Sequence, residues 1–384
     1  MYKKIIIIGL SAFVVFACSQ TQQTIKYENE VNINFGELHS FKMSDLLNLH
    51  HFVKLETNES CLIGEIKEFQ IFNDRINLLD AYGSNSIFIF TMEGKHIATL
   101  YPKGNGPGEF ILPSWFQIDE NGYLIVLDKQ LSRLLRYNLN DLTFVDEIIM
   151  PLMSPASFLN LSDDVYAYYY GLKNKMGDNK KQIFIATKDG NTDNRFLELG
   201  TKGKLLYESF TFYKYNNKSI FFPYISDKIY EIKKDSIFTR YNLSFGKNKL
   251  PDDAFFEKYG NQGTGTIMNN LLNGAQDYIR FIKVYENDDG LVVHYYIKKE
   301  LYCGVWLKNE NNFLHFKCND VKDDLGIASK FPSIVGVHNN QFIGYLSPMD
   351  IDSKMVKHHQ LKTLLEKTEE DDNPIIFFYS FQSH

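Results

Sequence analysis

Cysteine is scarce in this chain and tryptophan scarcer, with four and two copies in 384 residues. No two cysteines stand as Cys-x-x-Cys, and none has a histidine at zinc-ligand spacing, so nothing predicts a metal site or a resident cofactor. His-Glu-x-x-His, Gly-x-Ser-x-Gly and the repeated Asp-box of sialidases are all missing, and with them the signatures of three hydrolase classes. Apolar runs never reach the roughly 20 residues that carry a helix across a bilayer. Basic residues are outnumbered 41 to 47 and form no stripe, which argues against a nucleic-acid partner.

What is there begins with an export signal. Met1-Tyr2-Lys3-Lys4 precedes an apolar run from Ile5 to Phe16, then Ala17 and Cys18. A basic start, about a dozen apolar residues and a small residue before the break describe a secretory signal. The stretch Val15-Phe16-Ala17-Cys18 resembles a lipobox, which implies cleavage before Cys18 and acylation of that cysteine. Acyl chains contribute about 0.8 kcal/mol per buried methylene, enough in multiple copies to hold a protein on a membrane. Removing residues 1–17 leaves 39 basic against 47 acidic residues, a charge of −8.

The rest reads as alternation, the period of strands. Phe69–Phe72, Ile76–Asp80, Ile87–Phe90 and Ile97–Leu100 form one unit of four, punctuated by Asn73-Asp74 and Glu93-Gly94. Phe116–Ile118, Leu124–Asp128, Leu134–Tyr137 and Phe144–Ile149 repeat it, and Asp80 and Asp128 are equivalent, 48 residues apart. Four strands per repeat of roughly 40–50 residues is the pattern of a propeller blade.

The turn between strands one and two recurs six times, at Asn73-Asp74, Asn121-Gly122, Asp163-Asp164, Asn216-Asn217, Asp288-Asp289-Gly290 and Asn339-Asn340. These residue types tolerate positive φ or bond their own backbone. The turn between strands three and four recurs only five times, at Glu93-Gly94, Asn140-Asp141, Asp189-Gly190, Lys234-Asp235 and Glu310-Asn311, because the chain runs out after residues 375–381. The sixth blade therefore takes its outer strand from elsewhere, and Phe52-Val53-Lys54-Leu55-Glu56 fits, leaving no free sheet edge. The reading is all-β: a six-bladed β-propeller over 46–384, closed by an N-terminal strand, with residues 18–45 as tether and extension.

Particular segments add a resemblance. His51–Thr57 with Ile63–Ile66, Gly104–Phe110, Tyr241–Gly246 with Leu250-Pro251, and Asp371-Asp372-Asn373-Pro374 are similar to the 6-bladed β-propeller lipoproteins of Gram-negative gut bacteria, over residues 45–381. NHL-type and TolB-like propellers are similar more loosely. The resemblance implies fold and export, not a chemistry.

The long segments fall between blades (Tyr101–Pro113, Pro251–Asp277) or between strands two and three (Gly171–Lys180, Ser347–Pro374), all on one face of a propeller. Two short helices are expected there, one beginning at Asp252 and an amphipathic one over Asp352–Lys367. Loops on a rigid scaffold are where binding usually resides. Trp115, Phe116 and Glu109 are the candidate ligand-face residues, with a structural corner as the competing role for Glu109 and a core role for Trp115. Cys303 and Cys318 are equidistant from Glu310-Asn311, which admits a disulfide across the hairpin or two buried free thiols. His294 and His338 sit in strands, where a histidine is usually structural. The functional expectation is a non-catalytic binding or scaffolding lipoprotein for a glycan, a peptide or an envelope protein. It is lipid-anchored in the cell envelope at the outer membrane, the periplasmic side favoured. The alternative is a hydrolase or lyase using acidic residues around the central channel.

Overall fold

The computed structural model describes residues 26–153, 155–170, 181–198, 212–223, 225–327 and 331–382. Its strands form six sheets set as blades around one axis. Blade 1 is Ile66–Phe72, Arg75–Asp80, Ser86–Thr91 and His96–Leu100; blade 2 is Pro113–Ile118, Tyr123–Asp128, Arg133–Asn138 and Phe144–Ile148. Blade 3 runs through Ser157–Ser162, Val165–Tyr169, Lys181–Thr187 and Thr192–Glu198. Blade 4 comprises Phe212–Tyr215, Lys218–Phe221, Lys228–Ile232 and Ile237–Ser244, and blade 5 Ile279–Glu286, Gly290–Ile297, Glu300–Leu307 and Asn312–Lys317. Ser333–His338, Gln341–Leu346 and Ile375–Phe381 make blade 6 with Leu47–Lys54 as its outer strand.

The turn residues do what their chemistry predicts. Asn73-Asp74, Asn216-Asn217 and Asn339-Asn340 hold φ between 45° and 60° at both positions, the mirror-image turn that matches strand twist. These turns and those between strands three and four define the lower face. The inter-blade connections and the loops between strands two and three define the upper face.

Ring closure uses a strand that overlaps the expected Phe52–Glu56 at residues 52–54 but begins five residues earlier. Leu47–Lys54 pairs antiparallel with Ile375–Phe381, His51 opposite Phe378 and Lys54 opposite Ile375. The seam joins two segments far apart in sequence. Asn373 is buried and accepts from the Ile63 amide at 2.8 Å, while its own amide donates to the carbonyls of Glu56 at 2.7 Å and Cys61 at 2.5 Å. Lys54 adds an ion pair to Asp372 at 2.5 Å. Gly94 (φ 83°) accepts from Glu56 N at 2.7 Å, and a Cβ there would fall on the Lys54 carbonyl, so the third turn of blade 1 needs glycine to receive the seam.

The extension before the ring carries structure of its own. Lys26–Asn34 is a fifth strand on blade 4, parallel to Ile237–Ser244, with Lys26 opposite Phe238 and Asn34 opposite Ser244. It climbs the rim from the lower face to the upper. The chain then crosses the rim of blade 5, where His39 N donates to the His315 carbonyl, and reaches the short helix α1 (Met43–Leu46) before the closing strand.

On the upper face, helix α2 (Asp253–Tyr259) is capped by Asp252, whose side chain accepts from Phe255 N at 3.0 Å. A second helix there, α3 (Thr264–Asn273), follows after the turn Gly260–Gln262 and Gly263. The helix expected over Asp352–Lys367 is confined to α4 (His359–Leu365), with Val356 and Leu361 packed into the core and Met355 outside it. No helix of the described residues is long and apolar enough to cross a membrane.

Candidate functional site

The six first strands enclose a central cavity of about 230 Å³. Its walls include Phe72, Ile118, Lys214, Glu286 and Val337, at or next to the lower ends of five of these strands, and Leu159 of blade 3. Inside, Glu68 is 5% exposed; Gln70 Nε2 stands 3.4 Å from its Oε1, and its Oε2 has no hydrogen-bond partner among the described residues. Burial pushes the Glu68 carboxyl up to about 8, beyond what Gln70 and Lys283 pull back. Lys283 reaches water, yet enough protein surrounds it that burial lowers its pKa. Its register partner His294 is buried and pushed down to about 3 by that burial, with the Lys283 charge adding. A neutral acid beside an amine of lowered basicity can move protons, but a carboxylate pair is not assembled here. The other acid on the wall, Glu286, turns its carboxylate outward.

That outward turn builds a second cavity. Glu286 ends the first strand of blade 5, its side chain is wholly buried, and four groups converge on it. Tyr213 Oη donates to Oε2 at 2.9 Å; Arg240 Nη2 (2.9 Å), Tyr241 Oη (2.5 Å) and Lys308 Nζ (2.8 Å) donate to Oε1. Burial lowers the Lys308 pKa while the Glu286 charge supports its ammonium form. Lys308 Nζ also sits 4.1 Å from the centre of the Tyr215 ring, and Arg240 lies 4.7 Å from that of Tyr241. The Tyr215 hydroxyl donates to Asp288 at 3.0 Å.

These side chains border a groove of about 380 Å³ between blades 4 and 5, opening on the lower face. Lys218 and Glu231, paired at 3.3 Å, stand on one side of it, and Trp306 on the other. Trp306 is half-buried, its Nε1 donating to Asn311 Oδ1 at 3.2 Å, with Tyr241 edge-on at 5.7 Å. Val31 of the N-terminal strand completes the wall. Aromatic rings and hydrogen-bonding charges thus share one concavity, their positions fixed by a buried carboxylate that never faces the ligand space. Such a site offers flat apolar faces and donors together, with little reorganisation on binding.

The residues chosen from sequence lie elsewhere. Trp115 is 6% exposed; its Nε1 donates to the Phe158 carbonyl at 3.0 Å, and it borders the central cavity rather than an open face. Phe116 is 0% exposed in the core between blades 1 and 2. Glu109 closes a corner, accepting from Gly106 N at 2.8 Å. The structure thus puts Phe116 in the core, Glu109 at a corner and Trp115 on the wall of the central cavity, while the tryptophan bordering the groove is Trp306. Cys303 and Cys318 are free thiols, both buried. The hairpin pairs Leu307 with Asn312, so Cys303 faces Phe316 and Cys318 lies two residues further on. His338 ends the first strand of blade 6, paired with Gln341. Among the described residues no cluster of His, Cys, Asp and Glu has the makings of a metal site. Cys18 and the loop 171–180 lie outside the described residues.

No motif in the sequence marked the groove, because its residues come from six strands and no spacing links them. The aromatic Tyr213-Lys214-Tyr215 with Arg240-Tyr241 was the available signal, in a blade with an ion pair at each edge.

Among curated proteins, none matches the chain. A protein from Bacteroides fragilis NCTC 9343, designated as exported, has a solved structure similar over 92% of this chain and 100% of its own, with a TM-score of 0.83 and 24% identity. Virginiamycin B lyase from Staphylococcus aureus, in an inactive form with quinupristin, is similar at a TM-score of 0.41 and 14% identity, covering 84% of this chain and 82% of its own, too remote to bear on chemistry. A family profile matches residues 27–380, nearly the whole chain, and by it the chain belongs to the family described as Domain of unknown function (DUF4934).

Proposed function

We propose that this protein is an exported lipoprotein of the bacterial envelope, held by acylated Cys18, whose propeller binds a saccharide without transforming it. The groove between blades 4 and 5 carries the reading. Tyr215, Tyr241 and Trp306 supply ring faces for the apolar side of a sugar; Lys218, Arg240, Lys308 and Glu231 supply hydrogen bonds to its hydroxyls. Export is supported by the signal-like N-terminus and by the designation of the Bacteroides fragilis relative. An outer-membrane position on the periplasmic side fits the absence of an acidic cluster after Cys18.

A glycan array followed by calorimetry on the best hit tests the reading. Trp306→Ala should weaken that hit at least about tenfold, a loss of about 1.4 kcal/mol, and Trp115→Phe should leave it unchanged. An array with no hit, or a hit indifferent to Trp306, would remove the saccharide site. Cys18→Ala should move the protein from the membrane to the soluble fraction.

The second reading is a propeller hydrolase or lyase at the central channel, favoured by Glu68 alone. Its raised pKa suits a general acid, but catalysis of that kind uses a partner carboxylate or base, and Glu286 is committed to Arg240 and Lys308. Turnover lost in Glu68→Gln would restore it.

A further inference from the structure

Beyond its one contribution to the groove wall, Val31, the N-terminal strand fixes where the anchor meets the ring. Lys26–Asn34 runs parallel to Ile237–Ser244, so its first residue lies at the lower face, with Lys26 opposite Phe238 and Tyr27 opposite Thr239. Phe238 and Thr239 are both walls of the groove. Seven residues separate Cys18 from Lys26. Fully extended, those eight Cα–Cα steps reach at most about 28 Å. The rim strand itself rises about 30 Å from lower to upper face at roughly 3.3 Å per residue. A leader this short is used up entirely in returning to the upper rim, so a bilayer holding Cys18 meets the lower face first. That rim of blade 4 carries Lys214, Lys218, Lys233 and Lys234 against Glu231 and Asp235, with Glu120 of blade 2 paired to Lys214 at 3.2 Å, a balance of four cations to three anions that favours anionic headgroups.

We infer that the lower rim of blade 4 rests against the bilayer to which Cys18 is attached, so that the groove opens at headgroup level and the upper face points away from the membrane. The partner of this surface is the lipid bilayer itself. The inference rests on the anchor in the proposed function and extends it: the sugar admitted to the groove is met at a membrane surface.

The test uses the full-length acylated protein in vesicles of phosphatidylethanolamine and phosphatidylglycerol with a trace of acceptor-labelled lipid. Donor dyes go on single introduced cysteines, Lys233→Cys or Lys234→Cys at the lower rim of blade 4 and Tyr82→Cys at the upper face of blade 1. Cys61, Cys303 and Cys318 are buried and stay unlabelled. Energy transfer to the lipid should be severalfold stronger from 233 and 234 than from 82. Inserting a Gly/Ser linker of about 20 residues after Thr24 should erase the contrast by freeing the orientation. Equal transfer from both faces, or stronger transfer from 82, overturns the orientation while the anchor stands. Protein that fails to float with the vesicles overturns the anchor, and the orientation with it.

Discussion

Blades 1 and 2 and the junction of blades 4 and 5 all bury a carboxylate, and they hold it in opposite ways. Asp80 ends the second strand of blade 1 and accepts from the backbone amides of Gly64, Tyr82, Gly83 and Ser84; Asp128, its equivalent, accepts from those of Ile111, Leu112, Gln130 and Leu131. Each ties the incoming inter-blade segment to the loop that follows its own strand. Glu286 instead accepts from side chains, two of them cations that border a groove. A carboxylate held by backbone fixes a loop and leaves nothing to offer a ligand. A carboxylate held by side chains fixes charged groups in place, and those can be offered. The difference separates framework from site in a molecule whose six blades are built alike.

Substitutions can break this comparison, and the largest effect is expected at the groove. Glu286→Ala leaves Arg240 and Lys308 near each other without their common anion. Removing one member of a buried charged cluster costs about 3–5 kcal/mol, which urea titration should register together with loss of saccharide binding. If binding survives, the side-chain-held carboxylate does not organise the groove.

Asp80→Ala and Asp128→Ala should cost less, about 2–4 kcal/mol each, since orphaned amides in a corner can partly reach water. Saccharide affinity should not change, and a loss of affinity without a loss of stability would contradict their framework role. Burial alone would raise the Asp80 carboxyl, but the amides of Ser84, Gly64 and Gly83 outweigh it and hold the group below its ordinary value. Its contribution is therefore present above the ordinary aspartate range and lost as pH falls through the depressed value. Asp80→Asn should flatten the acid limb of the stability profile.

Glu68 sharpens the comparison from a third side, as a buried carboxyl with one oxygen unpartnered among the described residues. Its pKa rises from 4.5 to about 8, so the folded state prefers it protonated. That preference supports the fold below the unfolded value and is lost as pH rises through the folded one. Relative to Glu68→Gln, the native protein should lose stability steadily between about pH 4.5 and 8, measured by denaturant titration at each pH. A difference constant with pH would mean that Glu68 is solvated. The smallest expected effect is on Trp115→Phe, which loses one buried hydrogen bond worth about 1 kcal/mol and no ligand.

The ring was legible because its information is local. Asn and Asp at Asn73-Asp74, Asn216-Asn217 and Asn339-Asn340 announce first turns, and the shortfall of one outer turn pointed to a closing strand at Phe52–Glu56, which overlaps the observed Leu47–Lys54 at residues 52–54. The strand Lys26–Asn34 was not legible: a parallel edge strand pairs across more than 200 residues and needs no turn to announce it. Of the two readings open for Cys303 and Cys318, the structure has the buried free thiols, because the hairpin turn centres one residue earlier than Glu310-Asn311 and the pairing is offset by two residues. The groove was hidden for a different reason: Val31, Tyr215, Glu231, Arg240 and Trp306 converge only once two blades stand side by side, whereas Trp115, beside an irregular loop, borders the central cavity.

Tryptophan emission offers the most direct test of the central claim, because the chain has two tryptophans and only Trp306 borders the groove. Titration with the best array saccharide should shift or quench the emission of the native protein along a saturable curve, and Trp306→Phe should abolish the change. A saturable response that persists in Trp306→Phe, or calorimetric binding with no change in the native emission, would place the ligand away from this groove and contradict the account.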